Sequence, residues 1–180
     1  MVVKEHDIKP EDIEAIDIGI NSHAYRHCIP EEVKLNPKTI VDAQFSIQYP
    51  VVAAIIDREV VLGQFSEKAI RRPEILELLQ RVHCGVDPEI EKISALKAAS
   101  FARVKIRTKD GNEYEKAVTF PKGHSQNPMT DEELADKFRD CAANAAKPIP
   151  EQNVEKALDL LLRLEEIDDI RKIVALISPQ

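Results

Sequence analysis

Residues 42–57, DAQFSIQYPVVAAIID, are mostly apolar and predict the helix around which the rest of the chain packs. Phe45, Tyr49 and Val52 recur at helical spacing, and the apolar residues between them cover the opposite side as well. A helix that is apolar nearly all round belongs in a protein interior. The sequence therefore predicts one buried helix over this range.

Three polar residues, Gln44, Ser46 and Gln48, interrupt this helix beside Tyr49, and Pro50 follows the tyrosine. Proline has no N–H to donate and its ring crowds the carbonyl four residues earlier, so a kink is expected here. A buried kink lined by hydroxyl and amide groups can form a pocket wall. The alternative is a core helix whose polar groups satisfy one another, and spacing alone favours that alternative.

Size, composition and charge limit the class of protein. The chain has 180 residues, 43% of them hydrophobic and 32% charged, which suits one globular domain or one domain with an appendage. Its net charge is −7 and its basic residues form no stripe, so nucleic acid is not an expected partner. The longest apolar run, Val51 to Ile56, is too short to span a membrane, so no membrane partner is expected either.

Cysteine usage and the first residues bear on the compartment. Cys28, Cys84 and Cys141 are odd in number and widely spaced, which is typical of free thiols in a reducing environment. The start, MVVKEHD, lacks the apolar core of a signal peptide. We therefore expect a cytoplasmic protein without a disulfide framework.

Two histidines, His23 and His27, could be interpreted as a metal site. On a helix, His23 and His27 would be spaced to share one ion. The segment leaves a predicted strand, however, Pro30 follows it, and no fourth ligand has a recognisable spacing. No metal is predicted.

Alternation of apolar and polar residues predicts three antiparallel strands. One is expected at about 13–22, where isoleucines alternate with small or acidic residues. Residues 101–108 and 114–120 alternate in the same way on either side of Asp110-Gly111, which predicts a hairpin. Helices rich in Leu and Ile can cover the apolar face of such a sheet, so the predicted fold class is α+β, an antiparallel sheet covered by helices.

Two further regions have helical periodicity. One begins at Pro73 and continues with apolar residues to Val82, and the other runs from Thr130 onward. The Leu and Ile stripes of the second region need a partner surface, within the chain or in another subunit. The expected organisation is an α+β domain over residues 1–126 followed by a helical tail over 127–180.

The loop PKGHSQNPM, between the hairpin and the tail, combines donors with a glycine. Gly123 permits a backbone conformation or a close approach closed to other residues, and Lys122 and His124 bring donors. Thr130 and Glu133 can form a capping box for the next helix. Such a loop can bind a carboxylate, or it can be an ordinary connector with a surface lysine, and spacing does not decide between the two.

Taken together, these stretches resemble the MmgE/PrpD family, which includes 2-methylcitrate dehydratase, cis-aconitate decarboxylase and iminodisuccinate epimerase. The matching motifs cover essentially the whole chain and occur in the family's order. They are IKPEDIEAIDI, then DAQFS-x-x-Y followed by GQF, then RRPEILELLQRV, then a DG hairpin, then PKG-x-x-x-NPM-x-DEEL-x-x-KFRD.

The resemblance implies an architecture and a chemistry. Full-length members have an all-helical domain and an α+β lid domain with the active site between them, and this chain looks like the lid plus the returning helices. Members act on small polycarboxylates without a metal or organic cofactor. The resemblance implies a catalytic role for Tyr49 and substrate binding by Lys122, Gly123 and His124. Gln48, beside the tyrosine, is also predicted to bind the substrate.

The acid and base residues of the family's helical domain have no counterpart in residues 1–180. We therefore expect the lid portion of a carbon–oxygen lyase or isomerase of the 2-methylcitrate dehydratase type. It would be inactive until a separate helical-domain chain joins it. The alternative is a non-catalytic module that forms homodimers through its helical stripes and keeps a vestigial carboxylate site.

Overall fold

The computed structural model describes residues 1–97 and 101–178. These residues form two compact units, Met1–Pro121 and Lys122–Gln180, called the first and the second unit below. The strands are β1 (Ile13–Ile20), β2 (Val82–Val86), β3 (Ala102–Thr108) and β4 (Glu113–Val118). The α-helices are α1 (Val2–Glu5), α2 (Ser22–Tyr25), α3 (Glu31–Lys34), α4 (Ile40–Gln44), α5 (Gln48–Asp57), α6 (Pro73–Leu79), α7 (Pro88–Lys97), α8 (Asp131–Ala143), α9 (Glu151–Leu161) and α10 (Arg171–Ile177).

The sheet of the first unit has the strand order β2-β1-β3-β4. β3 pairs antiparallel with both β1 and β4, so the predicted strand and the predicted hairpin are confirmed. Gly111 has a φ of +86° at the hairpin turn, a conformation that favours glycine, and this is why the Asp-Gly pair marks the turn. The α+β class is confirmed.

The fourth strand, β2, differs from the sequence prediction. Periodicity predicts helix as far as Val82, whereas α6 ends at Leu79 and the chain then enters β2, which pairs parallel with β1. The sheet is therefore mixed rather than wholly antiparallel. Pairing with β1 supplies a contact distant in sequence, and such contacts override local periodicity.

The predicted central helix is divided into α4 and α5 by residues 45–47. Ser46 Oγ accepts a hydrogen bond of 3.1 Å from the Tyr49 N–H, one of the N–H groups in the first turn of α5 that have no partner within the helix. Pro50 lies in the first turn of α5, where no N–H partner is needed, so the break precedes the proline instead of forming as a kink at it. Phe45 is 59% exposed, and the prediction that it belongs to the core is wrong.

α5 nevertheless forms the centre of the core. Tyr49 and Val52 have no exposed surface, and they belong to one apolar cluster with Ile16 of β1 and Ile106 of β3. Each large apolar side chain buried in this way stabilises the fold by about 1.5–3 kcal/mol. The helix therefore covers the apolar face of the sheet, as the sequence predicts.

An ion pair joins the end of α5 to the start of α6. The Arg72 guanidinium donates two hydrogen bonds, of 2.8 and 2.7 Å, to the two carboxylate oxygens of Asp57. The Asp57 side chain is only 18% exposed and the Arg72 side chain 27%, so water screens the pair only in part. The hydrogen bonds from Arg72 hold the pKa of Asp57 below its usual value.

Asp87 lies directly against Gly19 of β1. One of its carboxylate oxygens accepts the Glu89 N–H at 2.8 Å, at the start of α7, and the other lies 3.2 Å from Arg103 Nη1. A Cβ atom on Gly19 would lie 2.9 Å from both the Cβ and the Oδ2 of Asp87. This close approach explains why the position holds a glycine.

In the described part of the second unit, the loop that begins at Lys122 leads to the helices α8, α9 and α10. Thr130 and Glu133 form the predicted capping box at the start of α8. Arg139 of α8 donates hydrogen bonds of 2.7 and 2.8 Å to the Glu155 carboxylate of α9. A helical tail is thus present, and the last two residues of the predicted range, 179–180, lie outside the described residues.

No helix among residues 1–97 and 101–178 combines the length and the apolar character that crossing a membrane requires.

Replacing Gly19 with alanine should destabilise the first unit by about 1–3 kcal/mol, because the added methyl group must displace Asp87. Gly85 is the matched control, since it pairs with Gly19 across the sheet and a Cβ there would meet nothing within 4 Å. Urea unfolding of the two variants measures the difference. A Gly19→Ala variant as stable as Gly85→Ala would contradict the clash.

The stability of the first unit should depend on the charge of Asp57. Because its folded pKa is lowered, the carboxylate stabilises the fold above its unfolded pKa of about 3.9, and this contribution is lost as the pH falls through the lower folded value. The difference in unfolding free energy between the wild type and Asp57→Asn should therefore shrink below about pH 4. Urea unfolding at a series of pH values measures it.

The control for this titration is Glu67→Gln, which breaks the exposed Arg71–Glu67 pair of 2.7 Å and should change stability little at any pH. A difference between wild type and Asp57→Asn that does not vary with pH would show that the Asp57 carboxylate is not stabilising.

Candidate functional site

Tyr49, the predicted catalytic residue, lies in the first turn of α5 and is fully buried in the first unit. Its hydroxyl donates a hydrogen bond to the backbone carbonyl of Gln64, and its ring packs against Phe65 with the centroids 5.6 Å apart. Burial raises the pKa of the phenol; Arg72 opposes this rise and Asp57 adds to it. At neutral pH the side chain is therefore a protonated hydrogen-bond donor.

The acceptor residue, Gln64, is held at both ends of its own side chain. Its Oε1 accepts the Val61 N–H at 2.8 Å, and its Nε2 donates to Asp57 Oδ2 at 3.2 Å. Asp57 is held in turn by Arg72. Arg72 and Asp57 thus hold the side chain of the residue whose backbone carbonyl accepts the Tyr49 hydroxyl.

Arg72 has one further nitrogen in this region. Its Nε is buried and makes no hydrogen bond to any residue that the structure describes, and the Glu74 carboxylate lies 3.8 Å away. The guanidinium therefore has an N–H beyond the two groups that hold Asp57.

Gln48, a predicted substrate-binding residue, is 1% exposed. Its Nε2 donates to the Cys28 carbonyl at 3.1 Å, and its Oε1 accepts the Ser46 hydroxyl at 3.2 Å. These bonds match the interpretation in which the polar groups of the central segment satisfy one another. Contact of Gln48 with a substrate stays a prediction.

Lys122, Gly123 and His124 lie in the loop of the second unit. Gly123 has a φ of +91°, which fits the conformational freedom predicted for it, and its N–H donates to the Asn127 carbonyl at 2.8 Å. The Asn127 N–H donates back to the His124 carbonyl at 2.8 Å, which closes a tight turn. His124 Nδ1 accepts the Gln126 N–H at 3.1 Å, so in the neutral ring the proton is on Nε2.

The Lys122 amine pairs with the capping box of α8. Its Nζ lies 2.8 Å from Glu133 Oε2, and the same oxygen accepts the Thr130 N–H at 2.8 Å. The hydrogen bond from Lys122 lowers the pKa of Glu133. Because the two side chains are 46% and 44% exposed, water screens the pair, and another anion can compete for the amine.

The structure thus sets the predicted residues in two groups. Tyr49 and Gln48 are neighbours in α5 of the first unit, and Lys122, Gly123 and His124 share one turn of the second unit. Sequence reasoning missed the residues around the tyrosine hydroxyl as site residues, although the motifs GQF and RRPEILELLQRV contain two of them, Gln64 and Arg72. These residues are Asp57, Gln64 and Arg72.

The cysteines and histidines form no second centre in the part of the chain that the structure describes. The Cys28 and Cys84 thiols share a hydrogen bond, which lowers the pKa of Cys28 and raises that of Cys84. His27 stacks on Phe45 with the ring centroids 6.5 Å apart. Within residues 1–97 and 101–178, no group of three or more His, Cys, Asp or Glu side chains could hold a metal ion.

Comparisons with known proteins identify relatives of this chain. Cis-aconitate decarboxylase of Aspergillus terreus is 28% identical over 170 residues, which cover 92% of this chain and 33% of the relative. Cis-aconitate decarboxylase of Mus musculus is 29% identical over 144 residues, which cover 79% of this chain and 28% of the relative. That of Homo sapiens is 29% identical over 139 residues, 76% of this chain and 27% of the relative. The chain thus spans about a third of the length of the curated relatives it matches.

The sequence model of one protein family, the MmgE/PrpD C-terminal domain, matches residues 1–164 of this chain. This range includes Tyr49 with its hydrogen-bond partners, the turn at Gly123 and the capping box of α8. The resemblance found in the motifs is confirmed, and the chain belongs to the MmgE/PrpD family, whose C-terminal domain it contains.

Proposed function

We propose that this chain is the lid portion of a lyase or isomerase that acts on small polycarboxylates and becomes active with a helical N-terminal half. The observation that carries the proposal is Tyr49, a buried and protonated phenol at the position that the family motif gives to its tyrosine. Relatives named cis-aconitate decarboxylase support a tricarboxylate as the substrate class. We place the enzyme in the cytoplasm on its cysteine usage.

In this proposal the Tyr49 hydroxyl takes part in proton transfer at the substrate carbon next to a carboxylate. Loss of carbon dioxide, or of a proton ahead of water loss, leaves negative charge on that carbon and its carboxylate. A neutral phenol can donate a hydrogen bond to this charge or pass a proton to the carbon, and to do so the Tyr49 O–H leaves the Gln64 carbonyl. Burial favours this role because it raises the pKa of Tyr49 and keeps the hydroxyl protonated.

The loop of the second unit binds the substrate in this proposal. Lys122 supplies a positive charge and His124 a ring N–H on Nε2, and both suit carboxylate oxygens. Gly123 allows the tight turn that presents them together. A bound carboxylate takes the place of Glu133 on the Lys122 amine, and the Thr130 N–H keeps Glu133 in its capping position.

The second candidate function is a non-catalytic module that forms homodimers and keeps a vestigial carboxylate site. One observation favours it, because four large apolar side chains in the described segment 162–174 are about half exposed. Exposed apolar side chains close in sequence are typical of an association surface. They are Leu162, Leu164, Ile170 and Val174.

Tyr49→Phe removes only the hydroxyl and should lower turnover by roughly tenfold or more in the enzyme assembled with an all-helical N-terminal half of the family. Lys122→Ala should raise KM more than it lowers kcat, because it removes a contact made to the bound carboxylate. The assay follows loss of cis-aconitate and of 2-methylcitrate. Tyr25→Phe and Lys147→Ala are the controls, and full activity of Tyr49→Phe would remove Tyr49 from the mechanism.

Ligand binding by the chain alone separates the two candidate functions. If the carboxylate site is retained, citrate or cis-aconitate should stabilise the chain, by about 2.7 kcal/mol when its concentration is 100 times Kd. Thermal melting with acetate as the control measures the effect, and Lys122→Ala should abolish it. A homodimer in sedimentation whose melting does not respond to tricarboxylates would favour the non-catalytic module.

A further inference from the structure

We propose that Asp57 and Arg72 are positioning residues that fix the direction of the Tyr49 hydroxyl through Gln64. The catalytic meaning of this inference rests on the function proposed for Tyr49, whereas the contacts themselves belong to the folded first unit. The argument has three steps, which follow the hydrogen bonds outward from the hydroxyl.

The first step concerns the hydroxyl itself. Burial and the contact with Phe65 hold the ring of Tyr49 in place, but a phenol O–H still rotates about its C–O bond toward an acceptor. In this structure that acceptor is the backbone carbonyl of Gln64. The position of one carbonyl group therefore decides where the donor points.

The second step concerns what holds that carbonyl. Gln64 lies in the short turn Leu62–Phe65, and the three residues before it, Val61, Leu62 and Gly63, are exposed, so packing holds this backbone weakly. The Gln64 side chain adds two restraints to the backbone hydrogen bond of 3.3 Å that the Gln64 N–H donates to the Val61 carbonyl. It bonds to the Val61 N–H within the turn and to Asp57 Oδ2 at the end of α5.

The third step concerns the orientation of Asp57. The planar fork of Arg72 donates to both carboxylate oxygens, which fixes the plane of the carboxylate as a single contact would not. Oδ2 receives both Arg72 Nη2, at 2.7 Å, and Gln64 Nε2, at 3.2 Å. Arg72 directly precedes Pro73, the first residue of α6, so this second helix anchors the whole set of bonds.

The test is the exchange rate of the Tyr49 hydroxyl proton with water, measured by NMR at one neutral pH on the full chain labelled with ¹³C-tyrosine. The chain has three tyrosines, and the Tyr49→Phe spectrum identifies the signal. Gln64→Ala keeps the backbone carbonyl but removes both of its side-chain restraints, so exchange should become faster by roughly tenfold or more. Arg71→Gln changes the neighbouring, exposed arginine and should leave the rate unchanged.

Asp57→Asn should also accelerate exchange, although it leaves the Arg72 charge without its partner and can unfold the chain. The double variant Asp57→Asn/Arg72→Gln avoids this problem because neither charge is left unpaired. Thermal melting confirms that each variant is folded. Wild-type exchange rates in folded Gln64→Ala and in the double variant would overturn the inference.

Turnover in the assembled enzyme separates this inference from the proposed function. Gln64→Ala should change kcat with little change in KM, and it should cause no further change in a Tyr49→Phe background, since the hydroxyl that Gln64 holds is then absent. If exchange accelerates while Tyr49→Phe remains fully active, the proposed function fails and the positioning of the hydroxyl stands. If Tyr49→Phe loses activity while exchange in Gln64→Ala is unchanged, the positioning fails and the proposed function stands.

Discussion

A polar group that enters an apolar interior must find a hydrogen-bond partner there, and this requirement shapes the first unit. α5 carries Gln48 and Tyr49 into the core side by side. Their partners are the backbone carbonyls of Cys28 and Gln64, which lie in separate short turns. Each bond therefore ties a turn with little secondary structure of its own to the central helix, and the arrangement around the tyrosine is a consequence of burying it.

Much of the fold could be predicted from periodicity, and the exceptions have physical causes. β1 and β3 are eight and seven residues long with one face in the core, so their alternation is visible in the sequence. β2 has five residues, of which only Val82 is fully buried, so its pattern carries little signal and its place depends on pairing with β1. Phe45 fits the helical period but is exposed, because the helix breaks at residues 45–47 and α5 begins only at Gln48.

The sequence could predict only those residues of the candidate site whose side-chain type is distinctive. Tyr49 and Gly123 stand out by type and position, whereas Gln64 accepts the tyrosine hydroxyl through a backbone carbonyl that every residue possesses. Arg71 and Arg72 both precede Pro73, and the sequence does not show which of them is buried. Arg72 pairs with Asp57 near the core, whereas Arg71 pairs with exposed Glu67. The packing of α5 on α6 decides which arginine meets Asp57, and that packing depends on residues distant in sequence.

The two groups of site residues meet opposite physical requirements. A phenol that has to remain protonated benefits from burial, because burial raises the pKa of Tyr49. A lysine that binds and releases a charged molecule benefits from exposure, because an ion pair in water is weak and its partners exchange readily. Lys122 meets the second requirement, since its present partner, Glu133, keeps the Thr130 N–H when the amine leaves it. The structure thus places a buried phenol donor in the first unit and an exposed cation, paired with a partner it can exchange, in the second.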